Sequence, residues 1–275
     1  MEDSLKCNID YLYVIATYKC NLKCPHCDIK NKDDHYNQTL FVEKLQQYKG
    51  VPMVIFGGEP TLNFDRIKLI CKYGNPESIS TNLIRVDQQL IDLILERNLG
   101  VATSWNPSRF HGSQYNTWLA NLRVLAINNI KSRVLVTITE DLMSINPSKL
   151  ITMFEQWSDT SGVSDIRFEM LVDNTKTQQF YDRCDDWLLM IDQLWNQNIV
   201  ENSIITQLKQ WYFDCSRTYT LQPNGTLTFG CPQYIQTEVV SRCFDCEYSN
   251  NCQPCRLQRC CTFPKKLYQK YYGHG

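Results

Sequence analysis

The sequence predicts an α/β fold, a parallel sheet covered by helices, followed by a smaller cysteine-rich region. Three observations predict it. Short apolar runs alternate with stretches of helical spacing between residues 11 and 172. Turn residues follow the ends of those runs. Beyond Asn174 the alternation stops, and from Phe213 onward cysteine, glycine and proline take over. Such an alternation builds either a doubly wound sheet or a barrel-like one, and in both the ligands gather at the carboxyl ends of the strands.

The elements follow in order. Tyr11 to Tyr18 is an apolar run that reads as a strand, and Asn31 to Asn37 is polar and reads as a loop. Leu40 to Tyr48 has helical spacing through Leu40, Phe41, Leu45 and Tyr48. Val51 to Phe56 is too short for a helix and ends at Gly57-Gly58-Glu59-Pro60, hence a strand and a turn. Phe64 to Cys71 is helical, and Ser78 to Thr81 is a short strand ending at Asn82. Asp87 caps a helix carrying Leu90, Ile91, Ile94 and Leu95. Val101 to Ser104 is a strand, Trp118 to Asn128 a helix, and Arg133 to Thr139 a β-branched strand. Asn146-Pro147 supplies a cap and a first-turn proline for a helix through Trp157. Ile166 to Val172 is the sixth strand, and Gln178 to Ile199 is strongly helical. Tyr219 to Phe229 reads as a hairpin turning at Pro223-Asn224-Gly225. A domain boundary is placed near residue 200: residues 1–200 form the barrel-like core with its following helix, and 201–275 form the cysteine-rich domain.

With 275 residues, 43% of them hydrophobic, the chain can bury a real core. A net charge of −1 gives no global field for nucleic acid or an acidic membrane. The tail Lys265-Lys266-Leu-Tyr268-Gln-Lys270-Tyr271-Tyr272 mixes bases and aromatics but reads as a solvated surface. No apolar run is long enough to span a bilayer and no signal sequence is seen, so the expectation is a cytoplasmic protein without a membrane partner. Fourteen cysteines in such a chain point to metal ligation rather than disulfides. Cys7, Cys71 and Cys184 stand apart from the others and read as ordinary buried or surface thiols.

The chemistry starts at Cys20-Asn-Leu-Lys-Cys24-Pro-His-Cys27, three cysteines within eight residues after a strand. A four-iron cubane takes four thiolates, so three leave one iron open for another ligand. A zinc site closes with four ligands, and His26 is available only between two of the thiols. That reading leaves Gly57-Gly58-Glu59-Pro60 unexplained. Glycines in that turn let a backbone approach closely, and a carboxylate accepts hydrogen bonds from an ammonium.

These two motifs resemble those of the radical S-adenosylmethionine (radical SAM) superfamily, and the resemblance spans residues 11–172. It implies a partial (β/α)6, TIM-like barrel. It implies that Cys20, Cys24 and Cys27 hold a [4Fe–4S] cluster whose open iron chelates S-adenosyl-L-methionine. One electron then yields a 5′-deoxyadenosyl radical that abstracts a hydrogen atom from substrate. Gly57, Gly58, Glu59 and Pro60 match the turn that contacts the methionine amino group. Thr81, Asn82, Ser104 and Asn106 lie where the family contacts the methionine carboxylate and ribose. Glu169 and Asp173, at the end of the sixth strand, are candidates to act on substrate, Glu169 as the catalytic one.

The later thiols resemble a SPASM domain, which carries auxiliary iron–sulfur clusters. Cys215 precedes Gly225 and Cys231, and then come Cys243, Cys246, Cys252, Cys255, Cys260 and Cys261. The resemblance implies one cluster on Cys243, Cys246, Cys252 and either Cys260 or Cys261, and another on Cys215, Cys231 and Cys255 with its fourth ligand unassigned. Two spacings depart from the pattern: five residues separate Gly225 from Cys231, and two separate Cys252 from Cys255. A zinc ribbon on Cys243, Cys246, Cys252 and Cys255 is the competing reading, and it leaves Cys215 and Cys231 unused. The architecture implies a ribosomally made peptide as substrate, crosslinked, oxidised or epimerised. It also implies an electron donor such as flavodoxin or ferredoxin, with either a separate peptide-recognition protein or direct recognition. The second reading is a dehydrogenase or epimerase of a sugar or cyclitol. A reading of another class is a zinc-stabilised, non-catalytic interaction module.

Overall fold

The computed structural model describes residues 9–27, 29, 34–171, 175–195, 218–229, 266 and 269–270. It divides into two compact units, one of residues 1–103, 109–132 and 214–235, the other of 104–108, 133–213 and 236–275. Cys7, Asp173 and the cysteines at 215, 231, 243, 246, 252, 255, 260 and 261 lie outside the described residues, so the expected auxiliary ligands do too.

The first unit is built on strands β1 (Tyr11–Thr17), β2 (Met53–Gly57), β3 (Pro76–Ser80) and the first four residues of β4 (Gly100–Trp105). Helix α1 (Gln38–Gln47) precedes β2, α2 (Phe64–Tyr73) precedes β3, and α3 (Gln88–Arg97) precedes β4. Helix α4 (Gln114–Ile127) follows β4. The pairings β1–β2, β2–β3 and β3–β4 are all parallel. Local sequence explains the helix starts. The side chains of Asn37, Asn63 and Asp87 each accept the N–H of the residue three further on, the arrangement of an N-cap. Leu12, Val14, Ile55 and Ile79 from the strands are buried with Phe41, Leu45, Ile67 and Ile70 from the helices. Trp118 of α4 is fully buried, and its indole N–H donates to Thr103 Oγ1 at 3.0 Å.

The hairpin read at 219–229 is present as β7 (Thr218–Leu221) and β8 (Leu227–Phe229), paired antiparallel. Its first strand lies parallel to β1, with Tyr11 opposite Thr218 and Val14 opposite Leu221. In this unit the strand order is therefore β4-β3-β2-β1-β7-β8. Gly225 sits at φ +85° in the turn, where a Cβ would stand 2.5 Å from the Cβ of Leu40. Only glycine fits there.

The second unit holds β5 (Ser132–Ile138), α5 (Glu140–Met143), α6 (Pro147–Ser161), β6 (Val163–Met170) and α7 (Gln178–Trp195). Asn146 caps α6 as expected, accepting from Ser148 and Lys149. Helix α5, only four residues long, was not expected; it is too short to show periodicity. Aromatic rings make this core. Phe154 lies 5.8 Å from Phe168, and Phe168 lies 5.6 Å from Trp187, both edge-on. The fold class expected from the sequence is the one observed, an α/β fold with a parallel sheet of the partial-barrel kind.

Candidate metal and cofactor site

The cysteine loop leaves the carboxyl end of β1. Cys20, Cys24 and Cys27 are half-buried thiols outside any disulfide. Pro25 and His26 form a turn across which the Cys27 N–H donates to the Cys24 carbonyl at 3.3 Å, and His26 is exposed upon it. The Leu22 N–H donates to Cys20 Sγ at 3.4 Å. The loop is anchored by apolar contacts: Ile29 packs with Ile15 and Tyr18, with Cys27 and Phe56 against them. Burial pushes the Cys20 thiol above its ordinary range. The Leu22 hydrogen bond opposes that shift, while the charges of Glu59, Cys24 and Cys27 add to it. A cation at this place would reverse the balance, because it favours every thiolate at once. Among the described residues no three Cys, His, Asp or Glu side chains stand at metal-holding spacing, the three thiols of the loop included. As a donor set they nonetheless fit an iron–sulfur group: soft ligands, half-open to solvent, on one short loop with a fixed base.

The turn after β2 is fastened to the start of that loop. Gly58 N–H donates to the Thr17 carbonyl and Glu59 N–H to the Lys19 carbonyl, both at 2.8 Å. The approach explains the glycines. Gly57 has φ +144°, and a Cβ there would lie 2.3 Å from the Thr17 carbonyl oxygen. A Cβ on Gly58 would lie 2.5 Å from the Lys19 oxygen and 2.6 Å from that of Tyr18.

Glu59 is fully buried. Its Oε1 accepts from Thr61 N–H at 3.1 Å, Thr61 Oγ1 at 2.6 Å and Thr81 Oγ1 at 2.8 Å, and its Oε2 accepts from Asn82 N–H at 2.6 Å. The carboxylate expected to meet a cofactor ammonium thus holds the end of β3 beside the end of β2. Thr81 and Asn82 are both buried. The Asn82 amide donates to Asn21 Oδ1 at 2.6 Å and faces Cys20 Sγ at 3.9 Å. The structure therefore brings the cysteine loop, Gly57 to Pro60, Thr81 and Asn82 together. Sequence reasoning missed Asn21 and Thr61. Thr61 had a usable signal, a hydroxyl two residues from a carboxylate in a tight turn.

The remaining candidates belong to the second unit. Ser104 is half-buried, and Asn106 is buried and accepts from Ser108 Oγ at 3.0 Å. Glu169 lies on β6 with Asp165 and Arg167, on the face opposite buried Ile166 and Phe168. Asp165 Oδ2 takes Nε of both Arg133 and Arg167 at 2.7 Å. Desolvation raises the Glu169 carboxyl above the ordinary range, with the Arg167 charge pulling the other way.

Residues 14–139 match the family model of the Radical SAM superfamily. Among solved structures the chain resembles anSMEcpe with bound AdoMet, at TM-score 0.61 and 15% identity over 82% of this chain and 74% of that one. It also resembles anSMEcpe with bound AdoMet and the Cp18Cys peptide, at TM-score 0.62 and 15% identity over the same shares. Streptococcus suis SuiB bound to S-adenosylmethionine matches at TM-score 0.61 and 15% identity, over 86% of this chain and 65% of SuiB. No curated protein sequence matches the chain. At that identity the structures speak for the fold. Among the described residues no helix is long and apolar enough to cross a membrane. The matched segment holds both the cysteine triad and the glycine turn fastened to it, so this part of the chain is similar to the Radical SAM superfamily in sequence as well as in fold.

Proposed function

We propose that this enzyme modifies a peptide by radical chemistry begun at Cys20, Cys24 and Cys27. One observation carries the proposal: the backbone of Gly58 and Glu59 is hydrogen-bonded to Thr17 and Lys19, so the thiol loop and the glycine turn form one construction. Cys20, Cys24 and Cys27 would hold a [4Fe–4S] cluster with a place open to S-adenosyl-L-methionine. When bound, the cluster supplies the electron that cleaves S-adenosyl-L-methionine to methionine and the 5′-deoxyadenosyl radical, the hydrogen-abstracting agent.

This chain's own residues bind and orient. Gly57 and Gly58 keep side chains out of the space beside the loop. Glu59 fixes the end of β3 so that Asn82 faces the Cys20 sulfur, and hydrogen bonds to cluster sulfurs raise the reduction potential. Ser104 and Asn106 are assigned to the cofactor's polar groups, and Glu169 to substrate, its raised carboxyl suiting a proton-holding role.

Two things support a peptide as substrate. One is the resemblance in fold to anSMEcpe with its bound peptide. The other is the set of eight late cysteines, at 215, 231, 243, 246, 252, 255, 260 and 261, assigned to one or two auxiliary [4Fe–4S] clusters. An electron donor of the flavodoxin or ferredoxin kind completes the system, and a separate recognition protein for the peptide is compatible with it. Anaerobic purification with iron and sulfide counts, followed by reduction and assay for 5′-deoxyadenosine, tests the proposal. Iron-loaded protein that forms 5′-deoxyadenosine supports it; colourless, zinc-loaded protein that forms none refutes it. Turnover of a sugar or cyclitol with no reaction on any precursor peptide would move the substrate to the second reading.

A further inference from the structure

The superfamily motifs leave one buried charge cluster unexplained. Asp34 follows Cys27 by seven residues and has a side chain only 17% exposed. Its Oδ2 accepts from Thr17 Oγ1 at 2.9 Å, and its Oδ1 accepts from Tyr18 N–H at 3.0 Å and Arg66 Nη1 at 3.2 Å. The same Arg66 nitrogen donates to the Ala16 carbonyl at 2.6 Å. The guanidinium, 7% exposed, lies 3.9 Å over the ring of Tyr36. Arg66 stands in the first turn of α2, the helix that follows the Gly57-Gly58-Glu59-Pro60 turn.

Three segments therefore meet at one carboxylate: the end of β1, the far end of the cysteine loop and the start of α2. Thr17 is the shared anchor. Its carbonyl takes Gly58 N–H, while its hydroxyl donates to Asp34 and accepts from Lys19 N–H at 3.2 Å. The chain leaves Thr17, carries Cys20, Cys24 and Cys27, and returns to the same threonine at Asp34.

We propose that Asp34, backed by Arg66, is a positioning residue that closes the cysteine loop at its base and so sets where the three thiols can stand. The proposal rests on the radical SAM reading. The glycine turn holds only the outgoing limb of the loop, through Thr17 and Lys19. Asp34 holds the returning limb, and closing the loop in advance lowers the entropy lost when three thiols engage one group. Arg66 is buried and Asp34 half-buried, so deleting the carboxylate also strands the Arg66 charge. A role in stability alone would follow from that. The two roles differ in where the loosening shows.

The test uses the full chain, free of metal, in hydrogen exchange read by mass spectrometry. Asp34→Ala should speed exchange of residues 18–27 about tenfold or more, the loss of one or two hydrogen bonds to a charged group, while β2 and β3 stay within about twofold. Thr17→Val, which leaves the Asp34–Arg66 pair intact, should give the same local pattern at smaller size. After reconstitution with iron and sulfide, both variants should lose iron to a chelator faster than the parent and show a broadened low-temperature electron paramagnetic resonance signal. Exchange of residues 18–27 unchanged in Thr17→Val, or raised no more than the rest of the unit in Asp34→Ala, overturns the proposal. A parent protein that takes up no iron would sink the radical SAM reading, while the exchange comparison, which needs no metal, still decides whether Asp34 closes the loop.

Discussion

Glu59 shows how much one side chain can organise. Four protein donors converge on its carboxylate in a fully buried place. Glu59→Ala leaves them without an acceptor and should cost about 3 kcal/mol or more, read from urea unfolding. Glu59→Gln is gentler: one amide oxygen replaces Oε1, but the new N–H groups oppose Asn82 N–H, so a loss of about 1–2 kcal/mol is expected. Thiols divide just as sharply. Burial pushes Cys71 up to about 11 and Cys184 up to about 12. The thiolate is the reactive form, and these two thiols are also buried whereas those of the loop are half-open to solvent, so brief alkylation of metal-free protein at pH 8 should label Cys24 and Cys27 first in mass spectra and leave Cys71 and Cys184 intact. Glu169 has a pH signature. Its folded carboxyl sits above its unfolded value, so folding takes up a proton, and stability falls as pH rises from the unfolded value through the folded one. Glu169→Gln should therefore raise the thermal midpoint at pH 7 and change it little below pH 4, which a pH series of melting curves would check.

At the scale of elements, the glycine turn is worth as much as the strands it joins. Gly58→Ala puts a methyl group 2.5 Å from the Lys19 carbonyl oxygen, which forces the turn and the cysteine loop apart. The variant should still fold, with a circular dichroism spectrum like the parent's, but retain less than about half of the parent's iron after reconstitution. The sequence makes this partnership legible at both ends, because glycine pairs and thiol clusters are rare and local. Six strands and their helices are legible for a similar reason: Leu40, Phe41 and Leu45, or Val134 and Val136, declare their period within one turn or pleat. Asp34 and Arg66 declare nothing. One stands in a polar stretch that reads as a loop, the other among polar helix residues, and only folding over 32 positions makes them a pair. The hairpin is a mixed case. Pro223-Asn224-Gly225 announces the turn, but its parallel docking beside β1 depends on residues some two hundred positions away, and no local pattern encodes that.

For the whole molecule, the question is whether the late cysteines serve the radical step or a later one. The family model ends at residue 139, and every thiol past Cys184 lies outside it. If Cys20, Cys24 and Cys27 are the ligands of the cleaving cluster, then removing one of them removes cleavage itself. If the late thiols hold auxiliary clusters, their work falls after the radical forms, in holding the substrate or taking an electron from its product radical. The two groups should therefore separate under one assay run with and without substrate. Cys24→Ala should form no 5′-deoxyadenosine in either case, a fall of at least about a thousandfold if the cluster is lost. Cys246→Ala should keep substrate-independent formation of 5′-deoxyadenosine within about tenfold of the parent while yielding no modified peptide, measured by mass spectrometry of the peptide. Equal loss of cleavage in both variants would show that the late thiols hold the fold together rather than act after the radical forms.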